Sequence, residues 1–268
     1  MALLQVSSFS KTLGMQIPMQ VILPDLNVGA VESIVAGSEY YPVLYLLHGM
    51  SSDHMSWCSR SSIERYAMDK GIAVIMPTTH LAWYTDQVHG LPYWTYISQE
   101  LPQICRYFFS RLSPYREDTY VAGLSMGGYG ALKCGLLMAQ SFSHVATLSG
   151  GLDVVRICEE TATEEKPDPI WANTFGSAQE AKGSENDLFA AAERLAASGK
   201  PMPRIYQYCG TDDFLYQDNL RMRDHLKALG FDLEYFEEPG DHSWKYWDEQ
   251  IKKVLDWLPL KPFTRLDE

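Results

Sequence analysis

Thr119-Tyr120-Val121-Ala122-Gly123-Leu124-Ser125-Met126-Gly127-Gly128 is the stretch on which the fold turns. Its first half is a short apolar run with aromatic and β-branched residues, as expected of a strand buried on both faces. Its second half contains G-x-S-x-G, and a segment rich in Ala, Leu and Met follows to about Ala139, which reads as a buried helix. A strand that passes into a helix through G-x-S-x-G is a nucleophile elbow. The turn is so tight that a side chain two residues before or after the serine would strike the neighbouring helix or strand. In return the Ser125 hydroxyl projects from the top of the sheet at a helix N-terminus, where the dipole favours a developing negative charge. The five residues alone would be thin support, since a chain of this size carries them by chance roughly one time in ten at ordinary glycine frequency. The flanking strand and helix supply the missing context.

Working outward, Val43-Leu44-Tyr45-Leu46-Leu47, Ile72-Ala73-Val74-Ile75-Met76 and Val145-Ala146-Thr147-Leu148-Ser149 are further buried-strand runs. Arg204–Cys209 and Asp232–Glu237 add two more strands. Helical stretches are expected at Ser62–Lys70, Tyr93–Leu112, Asn186–Ser198, Tyr216–Leu229 and Trp244–Leu258, with Glu100-Leu101-Pro102 turning the chain early in the second. Leu3–Leu23 reads as two strands joined near Lys11–Gly14, and Pro18 suggests an edge position for the second. Strands alternating with helices imply βαβ units and right-handed crossovers. The fold class is therefore α/β, an α/β-hydrolase fold with a mostly parallel central sheet flanked by helices. One domain spans residues 1–268. Regular patterning lapses over about 151–185, where Pro167, Pro169 and a run of charges mark an insertion. It reads as a small lid over the site or as a surface excursion.

Composition narrows the function. A chain of 268 residues with 46% hydrophobic and 21% charged residues is an ordinary globular protein with a sizeable core. A formal net charge of -12 repels phosphates, which argues against nucleic-acid and anionic-membrane partners. No apolar run approaches the roughly 18 residues a membrane helix needs. Met1–Ser8 has neither a basic start nor a long apolar core, so it does not read as a signal peptide. The five cysteines, Cys58, Cys105, Cys134, Cys158 and Cys209, are scattered and free of CxxC spacing. They read as reduced thiols of a cytoplasmic protein rather than a disulfide framework or zinc site. His80 and His89 also lack ligand spacing, so no metal is expected. A homo-oligomer is compatible with this composition.

An elbow serine needs a base and an acid, in the chain order Ser, Asp/Glu, His. Of the seven histidines, only His225 and His242 follow the acid candidates. His225 falls mid-helix, where a packed or solvated histidine is the usual reading. His242 lies in Pro239-Gly240-Asp241-His242-Ser243-Trp244, between the last strand and the last helix, where it can reach Ser125. For the acid, Cys209-Gly210-Thr211-Asp212-Asp213 ends the preceding strand. The spacing G-x-x-D points to Asp213, with Asp212 read as a cap for the helix near Tyr216 and kept as the alternative. Asp241 ranks lower because adjacent side chains diverge, and Asp153, after the earlier strand, ranks lower too.

Two backbone N–H groups must face the oxyanion. Met126, after the nucleophile, offers one. Met50, in His48-Gly49-Met50, offers the other, with Gly49 letting the backbone approach and His48 fixing the loop. Substrate contacts are expected among Trp57, Trp83, Tyr84, Trp94, Tyr96 and Trp171, with Trp57 and Trp94 preferred. An aromatic mouth suits sugar acetates or aromatic esters.

Leu46-Leu47-His48-Gly49-Met50, Gly123–Ala131, Cys209–Leu215 and Gly240–Trp244 together resemble the putative-esterase family, which contains tributyrin esterases, feruloyl esterases and esterase D (S-formylglutathione hydrolase). The resemblance runs over nearly the whole chain and looks strongest to the bacterial tributyrin-esterase branch, from the phrase between His48 and Trp57. It implies a triad of Ser125, Asp213 and His242, a small-molecule ester substrate with a short acyl chain, acetyl to butyryl, and no cofactor. It also leaves S-formylglutathione hydrolysis or acyl transfer as alternatives on the same triad. Esterase D usually carries serine-glycine where this chain has His48-Gly49, which weakens the S-formylglutathione assignment. The intact triad and elbow glycines weigh against a non-enzymatic binding protein.

Overall fold

All five residues of Val43–Leu47 (β3) and all five of Ala73–Pro77 (β4) are buried, because both faces of these strands are covered. Leu44 and Leu46 point to one hydrophobic cluster with Trp57, Val74 and Ile251, while Val43, Tyr45 and Leu47 point to a second with Tyr84, Ile75 and Met126. A side chain buried this fully contributes about 1.5–3 kcal/mol relative to its exposed state. The computed structural model describes residues 1–24, 40–163 and 168–260. The remaining strands are Ala2–Ser10 (β1), Met15–Leu23 (β2), Thr119–Leu124 (β5), His144–Leu148 (β6), Arg204–Gly210 (β7) and Leu233–Glu238 (β8). They form an eight-stranded sheet in the order β1-β2-β4-β3-β5-β6-β7-β8. Only the β1/β2 and β2/β4 pairs are antiparallel; β4 through β8 run parallel.

The register brings the site together. Leu47 pairs with Gly123, so the loop after β3 lies beside the turn after β5. Leu148 pairs with Tyr208, and Gly210 with Glu238, so the loops after β7 and β8 open at the same end. In parallel sheets that end is where ligands bind.

Two expectations change. Pro18 does not mark an edge strand, since β2 lies between β1 and β4. It pairs with Ser7, and the β4 ladder starts one residue later at Met19, so the missing N–H falls just outside that ladder. The segment from Tyr93 is not one α-helix to Leu112: a π-helical turn at Tyr96–Glu100 leads into a helix over Leu101–Phe108. Pro102 has no N–H to return to the carbonyl four residues back, which explains the wider turn before it. That turn also sets Glu100, whose carboxylate accepts from Ser10 Oγ at 2.5 Å and from the N–H groups of Lys11 and Thr12 at 2.7 and 3.2 Å.

The insertion is more regular than its sequence suggests. Helices occupy Val154–Thr161, Pro169–Phe175 and Ala178–Ala181. Each is short, so its apolar period is faint, and each is set by its N-cap: Asp153, Asp168 before Pro169, and Ser177 in a capping box with Glu180. Pro167 lies outside the described residues. Among the described residues no helix is long and apolar enough to cross a membrane.

Candidate active site

Ser125 sits between β5 and the helix Met126–Leu137 with φ 53° and ψ -120°. Such a conformation costs about 1–3 kcal/mol in a non-glycine residue and persists only where its surroundings enforce it. Here the surroundings are backbone. The Ser125 N–H donates to Leu148 O at 2.9 Å, and its carbonyl accepts from Tyr129 and Gly151 N–H at 3.1 and 3.3 Å. A Cβ on Gly123 would lie 2.2 Å from Gly127 O, and one on Gly127 would lie 2.3 Å from Leu47 O. Neither main chain can give way, so both elbow positions require glycine.

His242 reaches this turn from the β8 loop. Its Nε2 lies 3.0 Å from Ser125 Oγ, and its Nδ1 lies 2.8 Å from Asp213 Oδ2. With Nδ1–H donated to the carboxylate, Nε2 is left as the acceptor for the serine proton. The Asp213 side chain is fully buried, and its Oδ1 also accepts the Leu215 N–H at 2.9 Å. The imidazole lies between the buried Trp247 ring and the exposed Phe214 ring, with centroids at 4.8 and 4.6 Å.

The rival acids fall elsewhere. Asp212 is exposed and does not cap the following helix; the Asp213 carbonyl accepts the Tyr216 N–H instead. Asp213 thus faces both the helix start and the histidine. Asp153 is held by Arg221 at 2.7 Å and caps its own helix, and Asp241 is exposed. His225 hydrogen-bonds Phe189 O from a helix, as a packing residue does.

The loop after β3 approaches Ser125 closely: a Cβ on Gly49 would stand 3.5 Å from Ser125 Cβ. Among the described residues no acceptor takes the N–H of Met50 or Met126, so both amides are free to meet an oxyanion. His48 fixes the loop. Its Nε2 accepts the Thr79 N–H at 3.1 Å, so the proton is on Nδ1, which donates to Gly49 O at 2.7 Å.

Burial pushes the His48 imidazole from 6.5 down to about 4. The folded state therefore favours the neutral ring, and the associated stability is present above pH 6.5 and lost as pH falls towards 4. Over that interval the loss amounts to about 3 kcal/mol at 1.36 kcal/mol per pH unit. A titration of the His48 ring protons by NMR is expected to show a midpoint near 4, together with a falling unfolding free energy below pH 6.5. A midpoint near 6.5 would contradict the neutral, doubly bonded ring.

Both aromatic residues preferred as substrate contacts are turned inward. Trp57 is 0% exposed, donates its indole N–H to Leu47 O at 3.1 Å and packs edge-on to Trp244. Its place is in the core behind the loop, because burial and a backbone acceptor together satisfy the whole ring. Trp94 is buried with Lys133 Nζ 4.6 Å from its ring centroid. The sequence reading missed Phe214, a 75% exposed aromatic beside His242. Its position next to Asp213 was the available signal.

The insertion is tied down at both sides. Arg156 pairs with Asp218, Arg221 bridges Asp153 and Asp218, and the N–H groups of Val88 and His89 donate to Thr174 O and Asn173 O. Trp171 packs against Trp83 with ring centroids 5.0 Å apart.

A model of the putative esterase family matches residues 10–258. An acetyl esterase of Caldicellulosiruptor saccharolyticus is 30% identical over 262 residues, covering 96% of this chain and 98% of that protein. Among solved structures, the substrate-bound fluorophosphonate-binding serine hydrolase F of Staphylococcus aureus superposes with a TM-score of 0.85 at 32% identity, covering 96% of this chain and 98% of the other. An S-formylglutathione hydrolase from Staphylococcus aureus superposes with a TM-score of 0.83 at 33% identity, over the same shares of each chain.

Proposed function

Because the chain belongs to the putative esterase family, we propose that it is a serine carboxylesterase cleaving short-chain acyl esters, with Ser125 as nucleophile, His242 as general base and Asp213 as the orienting acid. The observation that carries this reading is the hydrogen-bonded line from Asp213 through His242 to Ser125 Oγ, at 2.8 and 3.0 Å. Similarity to the acetyl esterase supports an acetyl-sized acyl group. The free, mostly buried thiols support a cytoplasmic location. The salt bridges and backbone bonds that hold the insertion support a fixed wall in one α/β-hydrolase domain rather than a swinging lid.

The chemistry follows from the atoms in place. His242 Nε2 takes the Ser125 proton as Oγ bonds to the ester carbonyl carbon, and the carbonyl electron pair moves onto oxygen. The N–H groups of Met50 and Met126 stabilise that oxyanion. The pair returns, the bond to the alcohol oxygen breaks, and His242 delivers its proton to that oxygen. Water then attacks the acyl-enzyme by the same steps, regenerating the serine.

Similarity to an S-formylglutathione hydrolase favours a second reading, a thioester substrate. Comparing kcat/KM for p-nitrophenyl esters of rising chain length, acetylated sugars, methyl ferulate and S-formylglutathione decides between them. A preference for acetyl over longer oxygen esters supports the first reading. A dominant S-formylglutathione rate would replace it with the second.

Because His242 must hand its proton to the leaving oxygen, the alcohol half of the ester lies over this histidine, where Phe214 is the exposed ring. Aromatic pairing of about 1 kcal/mol corresponds to about fivefold in kcat/KM. Phe214→Ala is therefore expected to lower kcat/KM for phenyl acetate about fivefold relative to methyl acetate. Equal losses on both esters would remove Phe214 from the leaving-group side.

A further inference from the structure

Trp83 and Tyr84 are consecutive bulky residues with φ of 50° and 51°, a left-handed backbone that such side chains rarely adopt. Strain of this kind persists only where the surrounding contacts over-determine it. The contacts are visible. The Tyr84 ring lies against the elbow helix at Gly130, where an added Cβ would stand 2.5 Å from the ring. Trp83 packs on Tyr129 and Phe175 at 5.6 and 5.9 Å between centroids. The Tyr84 hydroxyl, on a fully buried side chain, donates to His48 O at 2.9 Å.

The far side of this residue is held by a buried cation. Lys133, on the same elbow helix, is 0% exposed. Its ammonium donates to Tyr84 O at 3.3 Å, Thr85 Oγ1 at 2.9 Å and Asn186 Oδ1 at 2.6 Å, so its three hydrogens are all used. No carboxylate lies within ion-pair distance of it among the described residues. The lysine thus pins the main chain of Tyr84, and the Tyr84 phenol pins the carbonyl two residues before Met50. The elbow helix carries both Ser125 at its start and the two supports of this brace, Gly130 and Lys133.

We propose that Tyr84, anchored by Lys133, is a positioning residue that locks the His48–Met50 loop at the distance from Ser125 at which the Met50 N–H meets the oxyanion. This rests on the reading of the chain as a serine esterase. The brace ties the position of one oxyanion donor to the helix that presents the nucleophile, so the two cannot drift apart. Loss of the hydroxyl leaves the ring packed on Gly130 and frees the His48 carbonyl, along with the buried Thr79 hydroxyl that adjoins the phenol. The change falls on transition-state stabilisation rather than on substrate binding or folding.

The test compares wild type with Tyr84→Phe and, to act on the anchor, Lys133→Met, which keeps the packing and removes the ammonium. Complete loss of an oxyanion donor costs about 10²–10³ in kcat, and a loosened one is expected to cost about tenfold. The expected result is kcat about tenfold lower in Tyr84→Phe with KM within twofold. Affinity for a trifluoromethyl ketone, which mimics the tetrahedral oxyanion, should fall by the same factor as kcat/KM. Amide hydrogen exchange at Thr79, whose N–H is held by the His48 ring, should quicken in both variants. A Tyr84→Phe enzyme with wild-type kcat, or one that loses only thermal stability or only KM, would overturn the proposal. So would unchanged exchange at Thr79. A wild type without ester hydrolysis would instead strike the activity on which the proposal rests, and the exchange arm would still judge the brace.

Discussion

Ser125→Ala is expected to lower kcat for p-nitrophenyl acetate by about 10⁶, the scale set by removing a nucleophile that acts as one unit with its base. Only the hydroxyl goes. Alanine keeps the Cβ and therefore the same strained backbone at φ 53°, and the elbow is held by main-chain bonds that the substitution leaves intact. The thermal midpoint should stay within a few degrees of wild type, which separates lost chemistry from lost fold. Residual hydrolysis above about one part in a hundred would place the nucleophile elsewhere, since known triads lose far more than that.

Asp213→Asn is expected to lower kcat by about 10⁴, the cost of holding the imidazole in the wrong tautomer. The amide can present an N–H to His242 Nδ1, which moves the ring proton to Nε2 and removes the acceptor for Ser125. The oxygen of the same amide can still take the Leu215 N–H, so the β7 loop is kept. Asp212→Asn serves as the partner measurement, because that side chain is exposed beside the site. It should leave kcat within about twofold of wild type, as surface changes generally do. The reverse pattern would hand the orienting role to Asp212. Kinetics of the two variants on one ester decide the matter.

How much of this could be read before the structure depends on the range of the interactions involved. The buried strands announce themselves because both faces of a parallel strand need apolar residues, and Val43–Leu47 and Thr119–Leu124 lie where their runs predict. The elbow glycines follow from a local clash that two peptide groups make unavoidable. The positions of Ser125, His242 and Asp213 follow from the order of loops at one end of the sheet. What could not be read is set by packing across the chain. Trp57 turned inward because Leu47 O, ten residues away, accepts its N–H. The helices of the insertion were hidden by their shortness, although Ser177 and Glu180 carry a capping-box signal. The brace joins Lys133 to Tyr84 across 49 residues and Tyr84 to His48 across 36, with no local pattern at any of the three. Two aspartates side by side were ambiguous because a cap and a triad acid use the same residue type. In the structure neither side chain caps the helix that begins at Tyr216; Asp213 meets His242, and its other oxygen takes the Leu215 N–H in the turn before that helix.

Covalent labelling tests whether Ser125 is a nucleophile activated by His242, without any assumption about the natural ester. A fluorophosphonate adds its phosphorus to an activated serine oxygen as fluoride leaves and the proton passes to the base. Intact-mass spectrometry of the treated protein is expected to show a single phosphonyl adduct, located on the peptide that contains Ser125 and absent from Ser125→Ala. A folded native protein that stays unlabelled, or one labelled equally after Ser125→Ala, would contradict the account.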